Sequence, residues 1–360
     1  MKILVAMSGG VDSSVTAALL KEAGHEVGGA TIRTWAPNDC DQKNTRACCG
    51  LSGVEDARDV AERLEIPYWV FNFEKNFKTF VVDYFAKEYQ KGRTPNPCIA
   101  CNEHVKFRQF LARARQLGYE AIATGHYAQC LFDSERNTHY LAEGLDATKD
   151  QSYVLFPISS DLLPSILLPL GQYTKGEIRK KAHALNLKSV MNKPDSQEIC
   201  FIPSNDYAAF LKREYPQPEF EQGVVRTSDG RVLGTHQGFY HFTRGQRRGL
   251  GISHTERLYV VDVDPGKNEV VVGVKQEVYD QRFEASRMNW FLKPDREIFR
   301  AEVKIRAQHK KQPATVRMMA DEKIQVEFDH SQEAITPGQG AVLYDGSRVL
   351  GGGWIEKIDR

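Results

Sequence analysis

Two groups of residues in this 360-residue chain have types and spacing suited to chemistry. The first is Met7-Ser-Gly-Gly-Val-Asp-Ser-Ser14. Gly9 and Gly10 let backbone close on an anion and supply successive N–H donors, and Ser8, Ser13 and Ser14 add hydroxyls. A helix starting here adds a positive dipole end worth about 0.3 to 1 kcal/mol. Together these features form a phosphate cradle. Its spacing matches neither G-x-x-x-x-G-K-[ST] nor G-x-G-x-x-G, and no lysine sits in the turn. The second group is thiol-bearing. Cys98 and Cys101 form C-x-x-C in Gly92-Arg-Thr-Pro-Asn-Pro-Cys-Ile-Ala-Cys-Asn102, read as a loop stiffened by Pro95 and Pro97, and Cys200 follows about a hundred residues later. Such thiols suit persulfide transfer, a transient disulfide or metal ligation.

The elements that must hold these groups are legible from periodicity. Lys2-Ile-Leu-Val-Ala6 reads as a buried strand, and Val15, Ala18, Leu19 and Ala23 recur at helical spacing before Gly24. The cradle therefore sits in a strand-to-helix turn. His25 to Ile32 reads as a second strand, parallel to the first across a helix-sized crossover. Ser52 and Glu55 have capping-box spacing ahead of a stripe at Val54, Ala57, Ala61 and Leu64. Tyr68 to Phe73 reads as a third strand, Phe77 to Gln90 and His104 to Leu117 as helices, and Glu120 to Thr124 as a strand ending at Gly125-His126-Tyr127. Gly125 has room to admit ribose or adenine against backbone. His126 suits either a phosphate or a structural hydrogen bond.

Alternation of strand and helix predicts an α/β fold with an open, mostly parallel sheet and ligands at the strand carboxyl ends. A hairpin is expected over 128–142, helices over Thr174 to Leu185 and Asn205 to Glu214, and then β-rich structure. Hairpins centre on Asp229-Gly230 and Pro265-Gly266, and a second β region from about Ser286 to Ile358 suggests a small barrel. The expected units are residues 1–204, 205–279 (a small central β-rich unit) and 280–360 (a carboxyl-terminal β-barrel).

Composition sets outer limits. With 41% hydrophobic and 26% charged residues the chain is globular, and its formal net charge of +1 leaves any nucleic-acid contact to local patches. Two stretches carry seven Lys or Arg each, residues 87–115 and 296–317, and suit either a phosphate backbone or a solvated face. Seven cysteines without a leader-like start suggest reduced thiols and a cytoplasmic location. No apolar run approaches the ~20 residues of a membrane span. Cys48 and Cys49 suit packing or a loop lining, and Cys40 and Cys130 look incidental.

The pattern S-G-G-x-D-S resembles the pyrophosphate loop of N-type ATP pyrophosphatases, which split ATP between the α and β phosphates. The fuller set of motifs resembles the bacterial tRNA-specific 2-thiouridylases. It comprises Ala6 to Ser14, Gly92 to Pro97 with Cys101-Asn102, Thr124-Gly-His-Tyr-Ala128, Lys149-Asp-Gln-Ser-Tyr153, Asp195-Ser with Ile199-Cys-Phe-Ile202, and Gly245-Gln-Arg-Arg-Gly-Leu-Gly251. The resemblance implies a tRNA-uridine 2-sulfurtransferase acting on the wobble uridine, U34, of an anticodon stem-loop. ATP would lie over Ala6, Met7, Ser8, Gly9, Gly10, Val11, Asp12 and Ser13, flanked by Ile32 and Gly125, with Asp12 helping to hold Mg2+. Cys200 would carry a persulfide supplied by a sulfur carrier or cysteine desulfurase, and Cys101 would resolve it or move protons. Asn96, Pro97, Cys98, His126, Lys149, Asp150, Gln151, Arg306, Ala307 and Gln339 would touch tRNA, with the 205–279 unit tRNA-contacting and the 280–360 barrel tRNA-binding.

One departure is chemical. Many family members have aspartate where this chain has Cys98, so Cys98, Cys101 and Cys200 are also a conditional ligand set for a [4Fe–4S] cluster with one iron open to sulfide. Two rival functions remain at this stage. One is another ATP pyrophosphatase, such as an argininosuccinate synthetase or an amidating enzyme, which needs no paired thiols. The other is a nonenzymatic RNA-binding protein built on the β units.

Overall fold

A computed structural model describes residues 1–34, 51–193, 199–202, 206–216 and 222–359. Cys40, Cys48, Cys49, Asp195 and Ser196 lie outside the described residues. Strand β1 (Lys2–Ala6) is buried from Ile3 to Val5, as its unbroken apolar run requires of a strand covered on both faces. It is followed by α1 (Val11–Glu22), β2 (Glu26–Arg33), α2 (Leu51–Arg63) and β3 (Tyr68–Asn72). Two long helical runs come next, α3 over residues 74–90 and α4 over residues 97–116, and then β4 (Ala121–Ala123). The hairpin β5 (Ala128–Asp133) and β6 (Thr138–Glu143) precedes a short β7 (Ile166–Leu167), α5 (Lys175–Ala184) and α6 (Tyr207–Glu214).

The expected parallel sheet is present, in the order β3-β2-β1-β4-β7, every pairing parallel. The chain leaves β1 toward β2 on one side and returns as β4 on the other. The crevice between the carboxyl ends of β1 and β4 is therefore a topological switch point, where such sheets bind ligands. α1 and α5 pack over one face with Ile3, Val5, Val15 and Ile178, while α4 covers the other with Phe107, Phe110 and Leu111.

Strands β8 (Gly223–Thr227), β9 (Val232–His236), β10 (Tyr259–Asp264) and β11 (Glu269–Gly273) form a separate sheet, ordered β10-β11-β8-β9. The remaining strands are β12 (Tyr279–Trp290), β13 (Ile298–Lys304), β14 (Gln312–Met318), β15 (Ile324–Glu333), β16 (Gly340–Asp345) and β17 (Arg348–Asp359). Antiparallel pairing runs β12-β15-β14-β13-β16-β17 and closes through β12–β17, so these strands make a barrel. Among the described residues no helix is long and apolar enough to cross a membrane.

Three expectations need correction. The C-x-x-C stretch is helix, not loop: the Asn96 side chain accepts from the Cys98 amide at 3.1 Å and Pro97 occupies the first helical position, so the prolines start α4 instead of stiffening a turn. Ser52 does not cap α2, because Leu51 is already helical. The barrel starts earlier than Ser286, at Tyr279, and its sheet is extended by β6 and β5 from far upstream. The seam is held by Glu143 N donating to Ser347 O at 2.9 Å, Lys311 Nζ to Glu143 Oε2 at 2.8 Å, and Arg348 Nη1 to Asp133 Oδ2 at 3.3 Å.

Candidate active site

The cradle opens where β1 ends. Gly10 begins α1 without a side-chain cap, so the first helical N–H groups face the crevice with no acceptor from their own helix. Ser13 Oγ accepts from the Ser8 amide at 3.1 Å and donates to Gly10 O at 3.2 Å, which ties the turn across its own mouth. Gly9 has φ of +71°, and a Cβ there would stand 2.2 Å from Gly53 O of α2. Both its conformation and its neighbour demand glycine. A Cβ on Gly125 would lie 2.9 Å from Asp12 C and Ser13 N. The strand end at Gly125 thus presses directly on the cradle. Ile32, at the end of β2, is partly buried between two apolar clusters.

Asp12 is the centre of the polar network. Lys175 Nζ donates to both its carboxylate oxygens at 2.8 Å, and Tyr127 OH donates to Oδ1 at 2.7 Å. Lys175 is 8% exposed. Its position is fixed by a capping box at Thr174 and Glu177, in which Thr174 N donates to Glu177 Oε2 at 2.7 Å and the Thr174 hydroxyl accepts from Glu177 N. Sequence reasoning missed Lys175. The available signal was its place in the first turn of a helix, where the dipole disfavours a cation unless an anion lies opposite. Lys193 was also missed: its ammonium donates to Gly9 O at 3.1 Å and pairs with Asp56.

From Tyr127 the network reaches the segment expected to touch RNA. Tyr127 N donates to Gln151 Oε1 at 2.9 Å and Gln151 N to Tyr127 O at 2.8 Å. Lys149, Asp150 and Gln151 are therefore held beside His126 and the cradle. The Asp150 carboxylate is spent within the fold, accepting from Gly144 N and Ser152 N at 3.1 Å and from Ser152 Oγ at 2.8 Å. His126 is buried against Phe107, with Nδ1 2.7 Å from Thr124 Oγ1. Burial, with help from Lys106, holds its pKa well below the usual histidine value, so it is neutral here.

The thiols approach from α4 and from the segment after residue 199. Cys101 is buried at the start of a π-helical stretch (Cys101–Gln109), a geometry that recurs at functional sites. It shares one apolar cluster with Phe201, the neighbour of Cys200. Phe201 packs edge-on against Phe77 and Phe85 of α3 at 5.6 and 5.5 Å. Asn102 Nδ2 donates to Val154 O at 3.0 Å, tying the thiol helix to the segment after Gln151. Cys98 and Cys200 are exposed. Among the described residues no three His, Cys, Asp or Glu side chains gather as a metal site. As placed among the described residues, Cys98, Cys101 and Cys200 do not fit a three-cysteine cluster. Cys130 is partly buried, donates to Leu163 O, and burial pushes its thiol up to about 12.

A second cavity, of about 630 Å3, brings together Asn96, Arg306, Ala307 and Gln339, residues expected to contact RNA that come from three separate parts of the sequence. Thr243, Arg244 and His309 share its wall. Gln339 Nε2 donates to Thr94 O at 2.7 Å, so the loop leading into α4 is stitched to the barrel. The two basic stretches are partly neutralised internally. Arg300 forks onto Asp329, Lys304 lies 3.8 Å from Asp150, Lys311 meets Glu143 and Glu302, and Arg93 pairs with Glu88 and Glu356. Counting basic residues overstated the charge offered to a ligand.

Comparison with known proteins agrees with this layout. Residues 1–204 match a family model described as "tRNA methyl transferase HUP domain", residues 208–274 a "tRNA methyl transferase PRC-barrel domain", and residues 280–355 an "Aminomethyltransferase beta-barrel domain". The chain is 48% identical over 360 residues to the tRNA-specific 2-thiouridylase MnmA of Carboxydothermus hydrogenoformans, covering 99% of this chain and 98% of that one. It is 43% identical over 358 residues to the protein of that name from Clostridioides difficile, with coverage of 99% and 98%. Among solved structures, the U34-tRNA thiolase NcsA of Methanococcus maripaludis is 16% identical, covers 60% of this chain and 68% of its own, and superposes with a TM-score of only 0.35, too low to bear on function.

Proposed function

Since this chain belongs to the tRNA-specific 2-thiouridylase family, we propose that it carries out ATP-dependent 2-thiolation of the wobble uridine of tRNA, with Cys200 and Cys101 as its sulfur-handling thiols. The observation that carries this assignment is the joining of three parts. The phosphate cradle and its Asp12–Lys175 pair sit at the switch point. Gln151 and Tyr127 link that pair to the segment starting at Lys149, and Asn102 links the same segment to the thiol helix.

The cradle N–H groups and Lys175 hold the ATP phosphates, while Gly125 and Ile32 border the nucleoside. Magnesium fits beside Asp12, since such ions use one or two carboxylates plus substrate phosphates, and it would draw charge from the departing pyrophosphate. Uridine O2 attacks the α-phosphorus and pyrophosphate leaves. A urea-like carbonyl is a poor electrophile, and adenylation makes its oxygen a leaving group. The terminal sulfur of a Cys200 persulfide, loaded by a sulfur carrier or desulfurase, then bonds to C2 and AMP departs. The Cys101 thiolate attacks the Cys200 sulfur, closing a disulfide and leaving the second sulfur on C2. An external thiol reduces that disulfide for the next turnover. The base must leave its stack to reach these groups, and Asn96, Arg306, Ala307 and Gln339 line the cavity that would receive the strand. Such chemistry belongs with reduced thiols, as in cytoplasm.

The phrase "tRNA methyl transferase" in the matched model suits this site less well, because methyl transfer has no use for a pyrophosphate-splitting cradle or two thiols. A test incubates the purified protein with tRNA, ATP, magnesium and a protein persulfide donor, and follows AMP and 2-thiouridine by nucleoside mass spectrometry. Both products are expected, with Cys200→Ser forming no 2-thiouridine. Full thiolation by Cys200→Ser, or activity that requires added iron and free sulfide, would replace the persulfide assignment.

A further inference from the structure

The Gly9–Gly10 peptide is the softest link of the cradle. With glycine on both sides, the torsions that flank it meet little steric resistance, so this peptide can turn over in place. Its two orientations have opposite chemistry. In a trans peptide the carbonyl and the N–H point in opposite directions, so one orientation offers an anion the Gly10 N–H and the other offers it the Gly9 oxygen. A phosphate cradle needs the first and must exclude the second.

One side chain settles the choice. Lys193 Nζ donates to Gly9 O at 3.1 Å and pairs with Asp56. While that bond stands, the Gly9 oxygen is held toward Lys193 and the Gly10 N–H is turned away from it. The lysine is itself firmly mounted. It ends a compact turn in which Val190 N donates to Leu187 O at 3.1 Å, Met191 N to Leu187 O at 2.9 Å and Lys193 N to Val190 O at 3.0 Å. Leu187 and Val190 are buried in the apolar cluster that also holds Met7 and Val11, on either side of the glycines. Asp56 stands on α2 beside Ala57, and Ala57 and Val60 belong to the same cluster. Lysine, aspartate and glycine turn are therefore carried by one apolar block. The lysine side chain is 35% exposed and the aspartate 19%. A pair that wet adds little to folding, and its main effect is the direction it imposes on the turn.

We propose that Lys193, anchored by Asp56, is a positioning residue for the cleavage of ATP, locking the Gly9–Gly10 peptide with its N–H toward the departing pyrophosphate. This deepens the assignment of the cradle to ATP and rests on it. Unlike Lys175, which is assigned to phosphate itself, Lys193 acts through a neutral backbone donor. Without it the peptide is free to flip and to face the phosphates with an oxygen, so that attraction becomes repulsion at the point where charge grows.

The test uses calorimetry on the full-length protein with magnesium, comparing ATP, inorganic pyrophosphate and AMP as ligands of the parent, Lys193→Met, Lys193→Arg, Asp56→Asn and the Lys193→Met/Asp56→Asn double variant. Lys193→Met should weaken ATP and pyrophosphate binding by about tenfold, the order of one hydrogen bond to a charged group, and leave AMP within about twofold. Arginine has donors for both partners, so Lys193→Arg should keep most of the affinity. Asp56→Asn should weaken pyrophosphate binding in the parent and add little in Lys193→Met. At saturating ATP, tRNA-dependent pyrophosphate release should slow by about tenfold in Lys193→Met, since the donor is aimed at developing charge, with KM for tRNA unchanged. Parent-like pyrophosphate affinity and release in Lys193→Met overturn the proposal. Equal losses for all three ligands do so too, by showing that the lysine only supports the fold. Tighter pyrophosphate binding in Asp56→Asn, absent from the double variant, would mean that the ammonium touches phosphate directly, and the positioning role falls. A parent that binds neither ATP nor pyrophosphate removes the ATP assignment, and this role with it.

Discussion

Lys175→Met separates a lysine that merely neutralises Asp12 from one that also holds ATP. Methionine keeps the stem that runs through the buried surroundings and removes only the ammonium. In the structure that ammonium donates to both Asp12 oxygens at 2.8 Å, with the lysine side chain 11% exposed and the aspartate side chain 32% exposed. A hydrogen bond to a charged group contributes about 1.5 to 3 kcal/mol, and stripping one partner from a fully buried pair costs about 3 to 5. Asp12 keeps Tyr127 and some water, so a stability loss of about 1.5 to 3 kcal/mol is expected by chemical denaturation. For ATP, a cation about 4 Å from a phosphate charge interacts by about 4 kcal/mol at an effective dielectric of 20, and desolvation offsets part of that. The expected loss in ATP affinity is about ten- to a hundredfold, or about 1.4 to 2.7 kcal/mol. Calorimetry on Lys175→Met, Asp12→Asn and the double variant supplies the cycle. If Lys175 only balances Asp12, the double variant binds ATP as well as Asp12→Asn does. If it contacts phosphate, the loss persists in the double variant. ATP affinity within twofold of the parent in Lys175→Met would refute the phosphate role.

Three further outcomes follow from the geometry. Because burial lowers the native pKa of His126, the unfolded chain binds a proton that the native chain refuses; stability should fall as pH drops below about 6.5, by up to about 1.4 kcal/mol per pH unit, until the lowered native value is reached. Denaturation midpoints across that range should show a shallower pH slope in His126→Gln, and an unchanged slope would mean that the ring is not buried neutral. Gly125→Ala should destabilise by about 1 to 3 kcal/mol and weaken ATP binding at least severalfold, since its methyl group meets cradle backbone at 2.9 Å; a neutral result in both assays would show the crevice to be looser than drawn. Brief alkylation near pH 8 followed by peptide mass spectrometry should modify exposed Cys98 and Cys200 and spare Cys130, whose thiol is pushed up to about 12, and equal rates at Cys130 and Cys200 would contradict this ordering.

The sequence made legible whatever depends on neighbours along the chain. The strand, glycine turn and helix at residues 2–22 carry their own signals in an apolar run and a helical stripe. The hairpins at Asp229-Gly230 and Pro265-Gly266 do likewise through their turn residues. What stayed hidden depends on distant partners. A proline pair reads as a stiff loop until Asn96 is seen capping the Cys98 amide. A basic stretch reads as a phosphate track until Asp329, Asp150 and Glu143 arrive from elsewhere in the fold to pair with three of its cations. Lys175 gains meaning only against Asp12, 163 positions away. The gathering of Asn96, Arg306 and Gln339 around one cavity was suggested by family likeness, since no local pattern links them.

The hairpin at 128–143 leaves the nucleotide crevice at Tyr127 and finishes as the outer strands of the barrel's sheet. This makes the amino-terminal unit and the barrel poor candidates for separation with scissors. A chain cut ahead of β12 would leave that hairpin without the strand it leans on and with bare amide groups along one margin, ready to recruit whatever strand drifts past. The same splice lets a load applied to the barrel pass through the seam at Glu143 and Asp133 into the hairpin, and from Tyr127 at its base to Asp12 of the phosphate turn.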